Sequence, residues 1–123
     1  MFNQNGITSS KMSAATQILA DVEMQFSVGC VVTNALATIV GSNRIVKAGT
    51  PVKINYIDLA VPAVDGGTAG YNAIILHDVD VTNGNQNATA LIFGFVNLNR
   101  IDTAISTKLT SQTNNSKVTL LKL

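Results

Sequence analysis

The sequence predicts a small, mainly β domain, and three observations carry that expectation. From Gln25 onward, apolar residues alternate with polar ones or come in short runs, and Gly, Asn and Pro separate the runs. Beyond that point a helical spacing of four occurs once, at Ile101, Ile105 and Leu109. The length, 123 residues, is one domain's worth and enough to bury a core without metals or disulfides. The expected form is a small β-barrel or β-tulip-like domain with one or two short helices. Residues 1–25 are expected to be a flexible N-terminal arm and docking segment, and residues 26–123 the β-rich domain.

Each element has its own signal. Met1, Phe2, Asn3, Gln4, Asn5, Gly6, Ile7, Thr8, Ser9 and Ser10 hold two sizeable apolar anchors, Phe2 and Ile7, and no periodicity. Such a segment is expected to order only when something binds it. From Ser13 to Gln25, the residues Ala14, Ala15, Ile18, Leu19 and Val22 recur at helical spacing. That stretch reads either as a short helix or as an extended docking segment. Phe26, Val28, Cys30 and Val32 then alternate with smaller or more polar neighbours, giving a strand that Asn34 ends.

Ala37–Val40 is a second short strand, and Gly41-Ser42-Asn43 turns it into Arg44–Lys47. After Ala48-Gly49-Thr50, Pro51 stands at the entrance or edge of a strand running from Val52 to Leu59. Residues 60–71, with Pro62, Gly66, Gly67 and Gly70, form a loop. Ala73–Thr82 returns to strand, and Asn83-Gly84 is a hairpin signal that Asn85-Gln86-Asn87 could lengthen. Ala88–Val96 is the return strand, apolar on both faces, so a core and a neighbouring element or subunit should cover it. Within it Leu91, Phe93 and Phe95 are the candidate residues for packing against that neighbour. The Ile101–Leu109 spacing gives a short amphipathic helix, with Asp102 available near its start as cap or dipole partner. Val118–Leu123 is the last strand.

Composition narrows the function classes. Eight basic and seven acidic side chains leave a net charge of +1, which excludes an electrostatic nucleic-acid binder. Only 12% of residues are charged, about half the usual share. Thirteen Asn and thirteen Thr occupy polar positions that Lys and Glu would normally take. A polar but nearly uncharged surface suits a protein packed against other protein. No apolar run approaches the roughly 18 residues of a membrane-spanning helix. The N-terminus also lacks the basic-then-apolar layout of a secretory signal.

Catalytic and metal chemistry have little to stand on. Cys30 lies among valines and reads as a buried, inert thiol. His77, Asp78 and Asp80 are the one constellation with ligand-type residues. In an extended strand, however, His77 would face away from the two carboxylates. Those carboxylates are expected to accept backbone or turn hydrogen bonds near Asn83, with no metal bound. Gly66, Gly67 and Gly70 lack the spacing of a phosphate-binding loop. With one histidine, an acid–base enzyme would have to be assembled from scattered aspartates. No catalytic residue, metal, cofactor or small-molecule substrate is expected.

The stretch from Val46 to Arg100 resembles a known family. Lys47-Ala48-Gly49-Thr50-Pro51-Val52 leads to a Gly-rich loop and then Ile74-Ile75-Leu76-His77-Asp78-Val79-Asp80-Val81-Thr82. Gly84 and Ala88-Thr89-Ala90-Leu91-Ile92-Phe93-Gly94-Phe95-Val96-Asn97 follow. In order and spacing these motifs resemble the lambda-type head decoration proteins of tailed bacteriophages, over about half the chain. The resemblance implies a β-rich domain that forms a homotrimer on the outside of the expanded phage head. There it would cap three-fold and quasi-three-fold positions of the major capsid protein lattice, with the arm Met1–Ser10 as part of the attachment. It implies residence in the host cytoplasm during assembly and on the virion surface afterwards. The alternative is a β-sandwich adhesion or fibre module on a virion or cell surface.

Overall fold

Nine β-strands and one α-helix make up the regular structure of the computed structural model, which describes Ile18, Leu19 and residues 25–123. The arm Met1–Ser10, and the 13–25 segment apart from Ile18, Leu19 and Gln25, lie outside the described residues. The strands are β1 (Phe26–Val32), β2 (Thr38–Val40), β3 (Asn43–Val46), β4 (Pro51–Lys53), β5 (Val64–Asp65), β6 (Ala73–Ile75), β7 (Val79–Asp80), β8 (Gln86–Asn97) and β9 (Lys117–Leu121); helix α1 spans Thr103–Ser111.

The architecture is mainly β, in two sheets with one helix. The larger sheet has the order β1-β8-β6-β4-β5, with β9 also on β8, and the smaller has the order β2-β3-β7. All pairings are antiparallel except β8 with β9. A parallel pair needs a long crossover, and α1 supplies it. Among the described residues, the strand pairing does not run round into a closed barrel.

The long strand β8 organises everything else. Its first half lies between β1 and β6, and its second half pairs with β9 from Phe93 to Asn97. Leu19 adds an antiparallel bridge to Val96, and the Asn97 N–H donates to the Ile18 carbonyl at 2.8 Å. Ile18 and Leu19 are therefore part of the folded domain, buried in its core. The register with β1 slips between Phe26 and Ser27, which pair with Phe93 and Leu91 and leave Ile92 as the extra residue. Such a bulge changes which face each following side chain meets.

Strand alternation divides the interior into two cores, one on each face of the larger sheet. Ile74 and Leu91 join one core with Ile18, Tyr71, Ile105 and Leu109, beneath α1. Ala73, Ile75, Ala88 and Ala90 join the other with Cys30, Val32, Val46 and Val81, beneath the smaller sheet. The two-faced apolar character of β8 is thus satisfied largely within one chain. Tyr71 is fully buried, and its phenol donates to the Leu109 carbonyl at 2.9 Å, tying the loop to the helix. In α1, Ile105 and Leu109 face inward as their spacing requires. Asp102 makes no side-chain cap; its carboxylate pairs instead with Lys47 at 3.5 Å.

Three strand expectations need correction. Val52–Leu59 is not one strand, because β4 stops at Lys53. The Asn72 side chain takes both backbone groups of Ile54, accepting its N–H at 2.8 Å and donating to its carbonyl at 2.9 Å. This side-chain pairing replaces the ladder. Ala73–Thr82 is likewise two strands on different sheets: β6 pairs with β4 and β8, and β7 pairs with β3. At the break, the Asp78 carboxylate accepts the Ala48 N–H at 2.7 Å. As a result Asn83-Gly84 closes no hairpin, since the strands on either side of it do not pair with each other.

Gly70 is a turn glycine whose replacement should be costly in two ways. Its φ is +94°, and a Cβ there would lie 2.5 Å from the Thr113 carbonyl oxygen and 2.7 Å from Asn115 Nδ2. The neighbouring backbone bonds Tyr71 N–H to Thr113 and Asn115 N–H to Tyr71 hold that approach in place. Gly70→Ala is expected to cost about 1–3 kcal/mol or more in a urea titration. Gly41→Ala, with open space around it, should cost less.

Candidate interaction surface

Where β4 ends, the chain makes an outward loop, Ile54–Ala63, before returning as β5. Short side chains tie its backbone down. Asn55 Oδ1 accepts the N–H groups of Ile57 at 2.9 Å and Asp58 at 3.2 Å. Asp58 in turn accepts Ala60 N–H through its carboxylate and Val61 N–H through its carbonyl, both at 3.2 Å. Asn and Asp offer the backbone these local partners in place of a ladder. Ile54 and Ala63, at the two ends, are buried in the core beneath the smaller sheet.

Between those anchors the loop holds apolar side chains outward. The described residues expose nine large apolar side chains; three of them, Tyr56, Ile57 and Val61, lie here, and a fourth, Val64, follows directly at the start of β5. Ile57 is 97% exposed. The Tyr56 phenol donates to the Asn72 carbonyl at 2.7 Å, which fixes the ring, and partial burial pushes its pKa up. Together with Lys53 and Pro62 these residues line an open cavity of about 570 Å³. Clustered exposed apolar side chains rimmed by polar ones are where protein contacts form.

The residues singled out from sequence fall in different places. Leu91 is fully buried in the chain's own core. Phe93 is 42% exposed and stands opposite Phe26, itself 59% exposed, so these two rings form a second apolar patch; Phe95 is half-buried. His77 and Asp78 are exposed. The Asp80 carboxylate accepts the Thr82 N–H at 2.9 Å and the Thr82 hydroxyl at 2.6 Å, which hold its pKa below the ordinary value. Among the described residues no three His, Cys, Asp or Glu side chains converge as a metal site would require. Cys30 is buried, and desolvation raises its pKa.

No protein-family model matches the chain, and no curated protein matches it.

Sequence reasoning placed residues 60–71 in a loop but missed its first part, Ile54–Leu59, because Ile54 and Tyr56 fall two apart and read as one face of a strand. The signal against a strand is Asn55 followed by Asp58, two residues that favour local side-chain-to-backbone bonds.

Acid should weaken the domain in a specific window. Burial tends to raise the Asp65 pKa, but hydrogen bonds from Gln112 and Gly67 and the charge of Lys108 outweigh it, leaving a net lowering. Asp80 is lowered as well. Carboxyls depressed in the folded state stabilise it fully above their unfolded value, near about 4, and lose that contribution as pH falls through the depressed value. The melting temperature should hold from neutrality to about pH 5 and fall below about pH 4. Asp65→Asn should flatten part of that fall, as followed by circular dichroism.

Proposed function

We propose that this chain is a structural virion protein. As a homotrimer it decorates the outer surface of a bacteriophage head at three-fold and quasi-three-fold positions and stabilises the expanded shell. Its partners are other copies of itself and the major capsid protein. The proposed role uses no catalytic residue, cofactor, nucleic acid or membrane. It places the protein in the host cytoplasm before assembly and on the capsid afterwards.

The observation that carries this reading is the pre-organised apolar loop on a surface with few charges. Ile57 is held in water by a hydrogen-bonded turn, an arrangement that gains when another protein covers it. The resemblance over Val46–Arg100 supplies the kind of assembly. Cementing follows from geometry: a trimer touching several capsid subunits must be detached before any one of them can leave. Three attachment points on one body also raise the local concentration of each.

A barrel-like closure belongs to the same proposal. The Ala63 N–H, next to edge strand β5, donates to the Val31 carbonyl on edge strand β1 at 2.8 Å. That bond draws the two ends of the larger sheet together around the core of Cys30, Val52, Ile75 and Ala90. One observation favours the second reading, a β-sandwich adhesion or fibre module: residues of both sheets, such as Val46 and Ala90, share one core.

Light scattering on the purified full chain separates the two. The decoration reading expects the mass of three chains at micromolar concentration. A clean monomer would sink it and leave the adhesion module standing.

A further inference from the structure

We propose that Asn83 is a self-modifying site, which loses its side-chain amide to water through a cyclic imide formed with Gly84 and so places a carboxylate on the turn between β7 and β8. The pair Asn-Gly occurs at 5–6 and at 83–84, and the second pair lies among the described residues. Both Asn83 and Gly84 are exposed. Asn55, Asn72, Asn97 and Asn114 use their side chains to hold backbone groups. The Asn83 amide makes no such bond among the described residues, so it can swing over the following peptide unit. That unit is unshielded. A Cβ built on Gly84 would meet nothing within 4 Å, and its φ of +134° is one that glycine adopts without strain. Its N–H is held by one long bond, 3.2 Å, to the Val81 carbonyl. Because β7 and β8 do not pair, no ladder stiffens the turn between them.

The step balances with water and hydroxide alone. An amide nitrogen is a weak nucleophile until it is deprotonated. Once hydroxide has taken the Gly84 amide proton, the nitrogen attacks Asn83 Cγ. The N–Cγ bond forms, the Cγ–Nδ2 bond breaks, and Nδ2 leaves as ammonia with a proton from water. Water then opens the imide. Opening at Cγ gives aspartate; opening at the main-chain carbonyl gives isoaspartate, whose backbone runs through Cβ and Cγ. Either product takes the formal net charge from +1 to zero, a condition that promotes association. The longer isoaspartyl backbone falls between Thr82, whose hydroxyl accepts the Arg44 N–H of β3 at 2.8 Å, and Gln86, where β8 begins.

The test incubates the folded full-length chain in mildly alkaline heavy-oxygen water, digests it with trypsin in ordinary water and maps the peptides by mass spectrometry. Asn5 and Asn83 fall on separate peptides, since Lys11 and Lys53 lie between them. The Asn83 peptide should change from amide to acid, carry one heavy oxygen and split into two forms, one of them a substrate for isoaspartyl methyltransferase. Asn83→Gln needs a larger ring for the same attack, so it should slow the change at that position by about tenfold or more while the melting temperature holds. An Asn83 that stays intact in the folded chain after the guanidinium-unfolded chain has converted in the same buffer would overturn the proposal, because the turn would then protect it. Aspartate without isoaspartate, or Asn83→Gln converting as fast as wild type, would overturn the imide route.

Discussion

Replacing Tyr71 by alanine should cost about 3–5 kcal/mol of folding stability, among the largest losses available to a single substitution in this chain. The ring is fully buried between the larger sheet and α1, in the core that holds Ile74, Leu91 and Leu109. Its hydroxyl also answers the Leu109 carbonyl near the end of the helix. Tyr71→Phe keeps the ring and removes only that donor, leaving a buried carbonyl to find another partner, at about 1–3 kcal/mol. Urea titrations of both variants separate packing from hydrogen bonding. Equal losses in the two would mean that the ring itself contributes little, contrary to its burial.

Two truncations should have opposite signatures. Removing Met1–Ser10 should leave the melting temperature nearly unchanged while occupancy on expanded, undecorated capsids falls sharply. The segment offers only Phe2 and Ile7 as anchors, and arms of this kind commonly bind by adding a strand to an exposed edge. Ordering costs about 1–2 kcal/mol per residue, so under the proposed decoration role one arm would bind weakly and three on one trimer would bind well. Removing residues 1–19 is a different experiment. It takes away buried Ile18 and Leu19, the bridge to Val96 and the bond from Asn97 to Ile18. Ile18→Ala alone should cost about 2–5 kcal/mol, and the longer truncation more. If the shorter truncation still saturates capsids at the same concentration, attachment lies elsewhere. If the longer one melts like wild type, the Ile18–Leu19 anchor is not part of the stable core.

The parts of the fold that are legible in the sequence are those with a local cause. The alternation in Phe26–Val32, the turn at Gly41-Ser42 and the four-residue spacing of Ile105 and Leu109 each produce the expected element. The strand ends at Lys53 and Ile75 are not legible, because distant side chains set them: Asn72 occupies the backbone of Ile54, and Asp78 reaches Ala48. The apolar run of β8 does announce a strand covered on both faces. What covers Leu91 is nevertheless the chain's own helix and N-terminal residues, which no local pattern reveals. For the candidate surface, Phe93 stands out from its strand, whereas Ile57 is hidden inside a stretch that looks like one.

The position of β8 also sets a timetable for synthesis. Its partners come from both directions along the chain: Leu19 and β1 precede the residues they pair with by 54 to 77 positions, and β9 follows only after α1 is complete. As the polypeptide emerges, β1 has no neighbour to pair with until Gln86–Phe93 has been made, and the Leu91 face of β8 is fully covered only once α1 and Val118 have followed. Contacts so far apart in sequence form slowly and leave sticky edges unprotected meanwhile. The larger sheet can therefore close only near the end of translation, when β8 and β9 have both been made.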